Sequence, residues 1–174
     1  MFQNSGELYR AAAEMTHRVD VFVNRLALSG LVKPDHLCLR CGSHEAYEAV
    51  LKMNLGTVED ESLISGRMIA YIHLNRFVNT ALGFVDYLEL QDQKPDGSQQ
   101  EGFHHIEVVP DESEHSYEEL VKYLEDAGEK VVFKERPHHL THEIEADGFV
   151  FILSRGPLIE KINAEKQKKN QPAR

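Results

Sequence analysis

Hydrophobic and polar positions follow two different periods along the chain, and each change of period predicts a change of secondary structure. Residues 5–29 repeat apolar side chains at three- and four-residue steps, which is typical of a helix with one buried face. Residues 35–40 and 103–109 alternate at every second position, which is typical of strands. The pattern therefore predicts a helical N-terminal extension followed by a region rich in strands.

The same succession of elements follows each of these two strands. Ser43 and Ser116 are placed to cap a helix, and Gly56 or Gly128 stands beyond the end of that helix. Strand-like stretches complete each half, at 57–63, 68–74 and 84–90 and again at 129–134, 141–145 and 149–153. The repeat of one strand, one helix and three strands predicts two similar modules placed side by side.

The repeat aligns residue by residue at its first strand. Asp35-His36-Leu37 and His104-His105-Ile106 show the same local pattern at an offset of 69 residues. Because one such module cannot cover both faces of its sheet, the two are expected to pair in an α+β fold. The expected organisation is a helical extension, a first module, a second module and a C-terminal helix with its tail, at residues 1–33, 34–91, 103–156 and 157–174.

Composition narrows the classes of partner. Of the 174 residues, 41% are hydrophobic, enough for a buried core, and the net charge is −10. An acidic surface repels phosphate backbones and anionic membranes, so we expect neither nucleic acid nor a membrane as partner. The basic stretch at 161–169 is interpreted as the solvated end of a helix, with a nucleic-acid arm as the alternative.

The two cysteines, Cys38 and Cys41, have the spacing of a redox pair or of half a zinc site. They lie in an alternating apolar stretch rather than at the start of a helix, and no second pair completes a four-thiolate site. We interpret them as core or surface thiols. Free thiols without a secretory segment predict a cytoplasmic protein.

Among ten histidines, His36 and His105 are distinguished by their equivalent positions in the two modules. Strand alternation places Arg40 on the face of His36 and Glu107 on the face of His105. Imidazoles together with a carboxylate bind first-row divalent metals and leave positions open for a substrate. Glu89 lies in an otherwise apolar strand, where an inward carboxylate is costly unless paired or metal-bound; the alternative is a solvent-facing edge position.

A second cluster, His138, His139 and His142, resembles a helical zinc motif only superficially. Its acid follows the third histidine, and Pro137 argues against a long helix. We interpret the cluster as a polar loop over the sheet, with a loop that contacts ligand as the alternative.

Five short motifs occur in a fixed order along the chain: Asp35-His36-Leu37-Cys38-Leu39-Arg40-Cys41, Ser65-Gly66-Arg67, Leu88-Glu89-Leu90, Glu101-Gly102-Phe103-His104-His105-Ile106-Glu107 and Ile159-Glu160-Lys161-Ile162. In these motifs the sequence resembles the YecM-like proteins of the vicinal oxygen chelate superfamily, whose fold is shared by glyoxalase I, extradiol dioxygenases and bleomycin-resistance proteins. The resemblance implies two βαβββ modules that form an eight-stranded, incompletely closed, barrel-like sheet around a metal cleft.

In this superfamily the ligands come from the first and fourth strands of each module. The resemblance therefore implies a divalent ion (zinc, iron, manganese or nickel) held by His36, Glu89 and His105. In the fourth strand of the second module, residues 153–155 are Leu, Ser and Arg where a fourth ligand would stand. A site of two histidines and one carboxylate is therefore expected.

The implied activity is that of a lyase, isomerase or dioxygenase acting on a small oxygenated molecule. Glu107 would be a general base or a fallback ligand, and Arg40 would bind a substrate carboxylate, with Arg67 as the weaker choice. Two alternatives stay open: a metal- or ligand-binding protein without turnover, and an interaction module with a vestigial pocket whose N-terminal helices engage a partner. The internal duplication permits a monomer, and a homodimer is the other option.

Overall fold

The secondary structure follows the succession expected from the sequence. The structure, a computed structural model, describes residues 2–111, 115–136 and 139–169. Its elements are α1 (Ser5–Arg25), β1 (Val32–Arg40), α2 (His44–Leu51), β2 (Gly56–Ile64), β3 (Arg67–Thr80), β4 (Gly83–Gln91), β5 (Gly102–Pro110), α3 (Tyr117–Asp126), β6 (Val132–Arg136), β7 (His139–Ala146), β8 (Phe149–Ser154) and α4 (Leu158–Lys169).

The eight strands form one mixed sheet in the order β2-β3-β4-β1-β5-β8-β7-β6. β1 pairs in parallel with β4 and antiparallel with β5, and β5 pairs in parallel with β8. The order is therefore symmetrical about the β1–β5 pair. Within the described ranges β2 and β6 end the sheet, so it does not close. The predicted α+β fold with an eight-stranded, incompletely closed sheet is confirmed.

Local capping explains where the two modules' helices begin. The Ser43 side chain accepts a hydrogen bond from the Ala46 amide, and Ser116 caps the second helix, as the sequence predicts; Ser116 also forms a capping box with Glu119. Gly56 has a different role from the one expected. It begins β2, where an added Cβ would lie 1.8 Å from the His73 carbonyl oxygen, so the absence of a side chain lets β2 approach β3.

The hydrophobic core lies on one face of the sheet and includes the whole apolar stripe of α1. Phe22 of α1 packs against Phe149 and Phe151 of β8, with ring centroids 5.8 and 5.1 Å apart. The N-terminal helix is thus built into the core. Its buried residues are Leu8, Ala12, Met15, Thr16, Val19, Phe22 and Val23. Among the described residues no helix has the length and apolar character needed to cross a membrane.

The opposite face of the sheet is polar at its centre, where β4, β1 and β5 lie side by side. Cys38 pairs with Glu89 on one side and with His105 on the other, while His36 pairs with Glu107. Paired residues share a face, so these side chains converge. We call this surface, defined by His36, Glu89, His105 and Glu107, the polar face.

Candidate metal centre

Two β-bulges shape the centre of the polar face. Register shifts in the β1–β5 pair leave one extra residue on each strand, Asp35 on β1 and His104 on β5. The two are separated by the same 69 residues as His36 and His105. A bulge re-aims the side chains beside it. Each extra residue accordingly contacts the histidine that follows it, at 2.8 Å for Asp35–His36 and 2.9 Å for His104–His105.

His36 is held so that one ring nitrogen, Nε2, faces the centre. The ring is fully buried. Its Nδ1 donates to Asp35 Oδ2 at 2.8 Å, and the same oxygen accepts the Leu158 amide at the start of α4 at 3.2 Å. In the deprotonated ring, such a carboxylate fixes the tautomer that leaves Nε2 as an acceptor. In the described part of the chain, Nε2 of His36 has no hydrogen-bond partner.

Carboxylates and a second imidazole surround that nitrogen. Glu89 Oε2 and Glu107 Oε2 each lie 4.0 Å from His36 Nε2, and His105 Nε2 lies 3.9 Å from Glu89 Oε1. Ligand atoms of His36, Glu89 and His105 all lie within 4.8 Å of one another. These separations exceed hydrogen-bond lengths. Two ligand atoms each about 2.1 Å from one ion stand about 3.4 Å apart in a tetrahedral site, so these donor atoms would hold a divalent ion after approaching one another by roughly 1 Å.

The three predicted ligands are therefore brought together, and Glu89 does not face solvent. Its side chain is 14% exposed, and that of Glu107 is 5% exposed. Ligand atoms of Asp35, His36 and Glu107 form a second group, and they also lie within 4.8 Å of one another. Glu107 thus stands close enough to serve as a further ligand or as a base.

The charges around His36 change its protonation. Burial alone would lower the pKa of this ring, but the hydrogen bond with Asp35 and the charges of Glu107 and Glu89 raise it, to about 9. Near neutral pH the metal-free protein therefore holds an imidazolium among buried carboxylates. A divalent ion would compete with that proton for the same position.

Arg40 lies at the end of the polar face and is linked to Glu89 by hydrogen bonds through Gln91. Its Nε donates to Gln91 Oε1 at 3.3 Å, and the Gln91 amide donates to Glu89 Oε1. This chain orients the Glu89 carboxylate. Arg67 instead donates to Gln99, in the segment between β4 and β5.

The strand register identifies the residue at the place of a fourth ligand. In the first module Glu89 stands opposite Cys38, and in the second Ile152 stands opposite Glu107. Glu107 follows Cys38 at the offset of 69 residues, so Ile152 is the counterpart of Glu89. It is buried. An apolar residue, Ile152, thus occupies the position that corresponds to a fourth ligand. This position lies one residue before the segment 153–155 expected from the sequence.

The C-terminal helix crosses the polar face. Its first residue bonds to Asp35 of β1, and Lys166 near its far end lies 3.5 Å from Asp60 of β2. Burial lowers the pKa of Lys161, and the nearby charges of Glu107 and Asp35 partly offset this decrease. Lys161 and Lys166 are both half-buried rather than solvated, which differs from the interpretation of this stretch from the sequence.

Of the other candidates from the sequence, Cys38 lies beside Glu89 on the polar face, whereas Cys41 and His142 lie outside the cluster. Cys38 and Cys41 are free and buried, and burial raises both thiol pKa values, that of Cys41 to about 12. Neither is a thiolate near neutral pH, which supports the interpretation as core thiols. His142 contacts the Tyr117 hydroxyl at 2.7 Å on the helix side of the sheet. His138 and the side chain of His139 lie outside the described residues.

Comparison with known proteins agrees with this architecture. The family model described as YecM protein matches residues 4–147. An uncharacterized protein of Haemophilus influenzae is 35% identical over 77 residues, which is 43% of this chain and 40% of the relative. The match thus spans less than half the length of that curated relative.

Two solved structures have a similar fold. The structural genomics protein EC4020 superimposes with a TM-score of 0.71 and 24% identity, over 92% of this chain and 90% of the other. Methylmalonyl-CoA epimerase from Mycobacterium tuberculosis, a vicinal oxygen chelate protein, superimposes with a TM-score of 0.52 and 14% identity, over 78% of this chain and 94% of the other. The chain therefore belongs to the YecM family and has the fold of the vicinal oxygen chelate superfamily.

Proposed function

We propose that this protein binds a divalent metal ion through His36, Glu89 and His105 and acts by proton transfer on a small molecule with two adjacent oxygen atoms. The observation that carries the proposal is the bare Nε2 of His36, buried and aimed at two carboxylates 4.0 Å away. A buried polar atom without a partner costs free energy, which a bound ion would offset.

Each residue of the centre has a distinct role in this proposal. The bound ion would supply Lewis-acid stabilisation of negative charge on a ligand oxygen. Asp35 fixes the His36 ring and its tautomer, and Arg40 with Gln91 orients Glu89. Glu107, buried beside the proposed ligands, holds or moves a proton at its carboxylate.

The proposed ligand set uses one carboxylate, Glu89, and leaves Glu107 available as a base. This second carboxylate favours a reaction by proton transfer. An isomerase or lyase that removes a proton next to a carbonyl needs a base beside the bound substrate, and Glu107 is buried next to the proposed ligands. The epimerase from M. tuberculosis shows by its name that the same fold accommodates such chemistry, and this likeness supports the proposal only at the level of fold.

Metal stoichiometry tests the proposal. Protein purified without an affinity tag is treated with a chelator, reconstituted separately with zinc, iron, manganese and nickel, and assayed by mass spectrometry. We expect one ion per chain, with affinity lowered at least about 100-fold in Glu89→Gln. The matched control is His44→Gln, because that ring is 62% exposed and bonds to Asp92 away from the centre.

Failure of the parent protein to bind any of the four ions would overturn the proposal, and equal affinity in Glu89→Gln would remove Glu89 from the ligand set. Turnover is then sought with the loaded protein as solvent-deuterium incorporation into methylmalonyl-CoA and small 2-oxo acids. Binding without incorporation would leave a metal-binding protein without turnover.

The raised pKa of His36 predicts how the stability of the metal-free protein depends on pH. Because the pKa is raised from 6.5 to about 9 on folding, the protonated ring stabilises the fold fully below pH 6.5, and this contribution is lost as the pH rises through 9. It amounts to at most about 3–4 kcal/mol, since one pKa unit corresponds to about 1.4 kcal/mol.

Urea denaturation of chelator-treated protein between pH 6 and pH 9.5 measures this contribution. The parent should lose stability across this interval, and His36→Gln should lose markedly less. Saturating metal should flatten the parent's profile, because the ion replaces the proton. A parent whose profile is already as flat as that of His36→Gln would contradict the prediction.

A further inference from the structure

A second buried polar atom without a hydrogen-bond partner lies beside the first. Among the described residues, the hydroxyl oxygen of Tyr71 is buried and makes no hydrogen bond, and the residue is 2% exposed. Leaving a buried hydroxyl unsatisfied costs about 1–3 kcal/mol. Folded proteins keep few such groups, so each one has a reason in the structure or in a ligand.

The position of Tyr71 connects it with the candidate metal centre. It stands opposite Glu89 in the β3–β4 pair and therefore lies on the polar face. Its ring meets the His36 ring edge-on, with centroids 5.5 Å apart and an interplanar angle of 84°. The side chain thus adjoins the imidazole whose Nε2 is bare.

A stack of rings holds Tyr71 in this position. Tyr71 is parallel to Tyr87, with centroids 4.8 Å apart and an interplanar angle of 9°, and Tyr87 is stacked in turn on His73 at 4.8 Å. Offset stacks of this kind favour one ring orientation. With the ring also buried, the hydroxyl has no route to solvent by a rotamer change.

The state of the phenol determines what can satisfy it. An ordinary phenol loses its proton only at about pH 10, so the buried Tyr71 hydroxyl carries its proton near neutral pH. A protonated phenol is a poor metal ligand and a good hydrogen-bond donor, so its natural partner is an anionic oxygen.

We propose that the Tyr71 hydroxyl donates a hydrogen bond to an anionic oxygen, carboxylate or enolate, of the small molecule that binds beside His36. The inference rests on the proposed function and adds to it a binding residue on β3, a strand that supplies none of the proposed metal ligands. In this arrangement Tyr71 selects ligands that place an oxyanion next to the ion.

Removing one oxygen atom tests this role. The Tyr71→Phe protein is compared with the parent and with Tyr87→Phe, which loses the hydroxyl of the adjacent ring in the stack. All three are loaded with manganese or zinc and titrated calorimetrically with oxalate, whose two carboxylates present adjacent anionic oxygens. Hydrogen bonds to charged groups predict that Tyr71→Phe lowers oxalate affinity about 10- to 100-fold. Tyr87→Phe should bind oxalate like the parent.

Two further measurements separate the inference from the proposed function. Metal affinity should be equal in all three proteins. In urea, metal-free Tyr71→Phe should be at least as stable as the metal-free parent, because the substitution removes an unsatisfied group. Oxalate binding that is absent from the loaded parent, or equal in the parent and Tyr71→Phe, overturns the inference while metal binding stands. A parent that takes up no metal overturns the proposed function itself.

Discussion

His36→Ala is expected to lower metal affinity about a thousandfold, whereas Asp35→Ala should lower it only about 10- to 100-fold. Structural zinc sites gain about 10–16 kcal/mol, so one ligand of the proposed three accounts for about 3–5 kcal/mol, or roughly a thousandfold. Asp35 acts on His36 through one hydrogen bond of 2.8 Å, and partners of this kind change metal affinity by about 10–100-fold.

Competition titrations with a chromophoric chelator would measure the metal affinities of the parent, Asp35→Ala and His36→Ala. Circular dichroism serves as the control for folding, since both substitutions disturb a buried cluster of charges. His36→Gln fills more of the space and should bind metal as weakly as His36→Ala. Equal affinities in the parent and His36→Ala would exclude His36 as a ligand, and an effect of Asp35→Ala as large as that of His36→Ala would assign Asp35 to the ligand set.

Phe22→Ala is expected to lower the free energy of unfolding by about 3–5 kcal/mol, the usual cost of removing a large aromatic side chain from a core. The ring is 5% exposed and joins α1 to two phenylalanines of β8. Val21→Ala is the matched control, because the neighbouring side chain on the same helix is 60% exposed. It should change stability by less than about 0.5 kcal/mol.

Urea unfolding followed by circular dichroism compares the two variants. Similar small effects in both would mean that α1 is not part of the cooperative fold, which would favour a role for this helix in binding a partner. A large effect confined to Phe22→Ala would assign the apolar face of α1 to the protein's own core.

The order of the elements could be predicted because local signals agree with the fold. The helical period of α1, the serine caps of α2 and α3 and the alternation of β1 and β5 are all visible in the sequence. β3 shows the limit: the pattern predicts a strand ending at 74, but the strand continues to Thr80. Its pairing with β4 is interrupted between His73 and Val78, and such irregularities depend on the neighbouring strand rather than on local sequence.

Part of the candidate site could be predicted from the sequence. His36 and His105 are identified because they occupy equivalent positions in the two modules, and Glu89 because it is an acid in an otherwise apolar strand. Asp35 was not found, because strict alternation assigns it to the opposite face from His36 and only the bulge brings the two together. Tyr71 was not found either, since an aromatic residue in a strand is ordinarily core and nothing in the sequence reveals an unsatisfied hydroxyl.

A single carboxylate oxygen of Asp35 accepts hydrogen bonds from Nδ1 of His36 and from the first amide of α4. The C-terminal helix and the candidate metal centre thus share one atom, so the free energy of docking the helix and the free energy of filling the centre are coupled. Coupling of this kind is reciprocal. If docking of the helix changes the affinity of the centre for an ion, an occupied centre changes the equilibrium constant for docking the helix by the same factor.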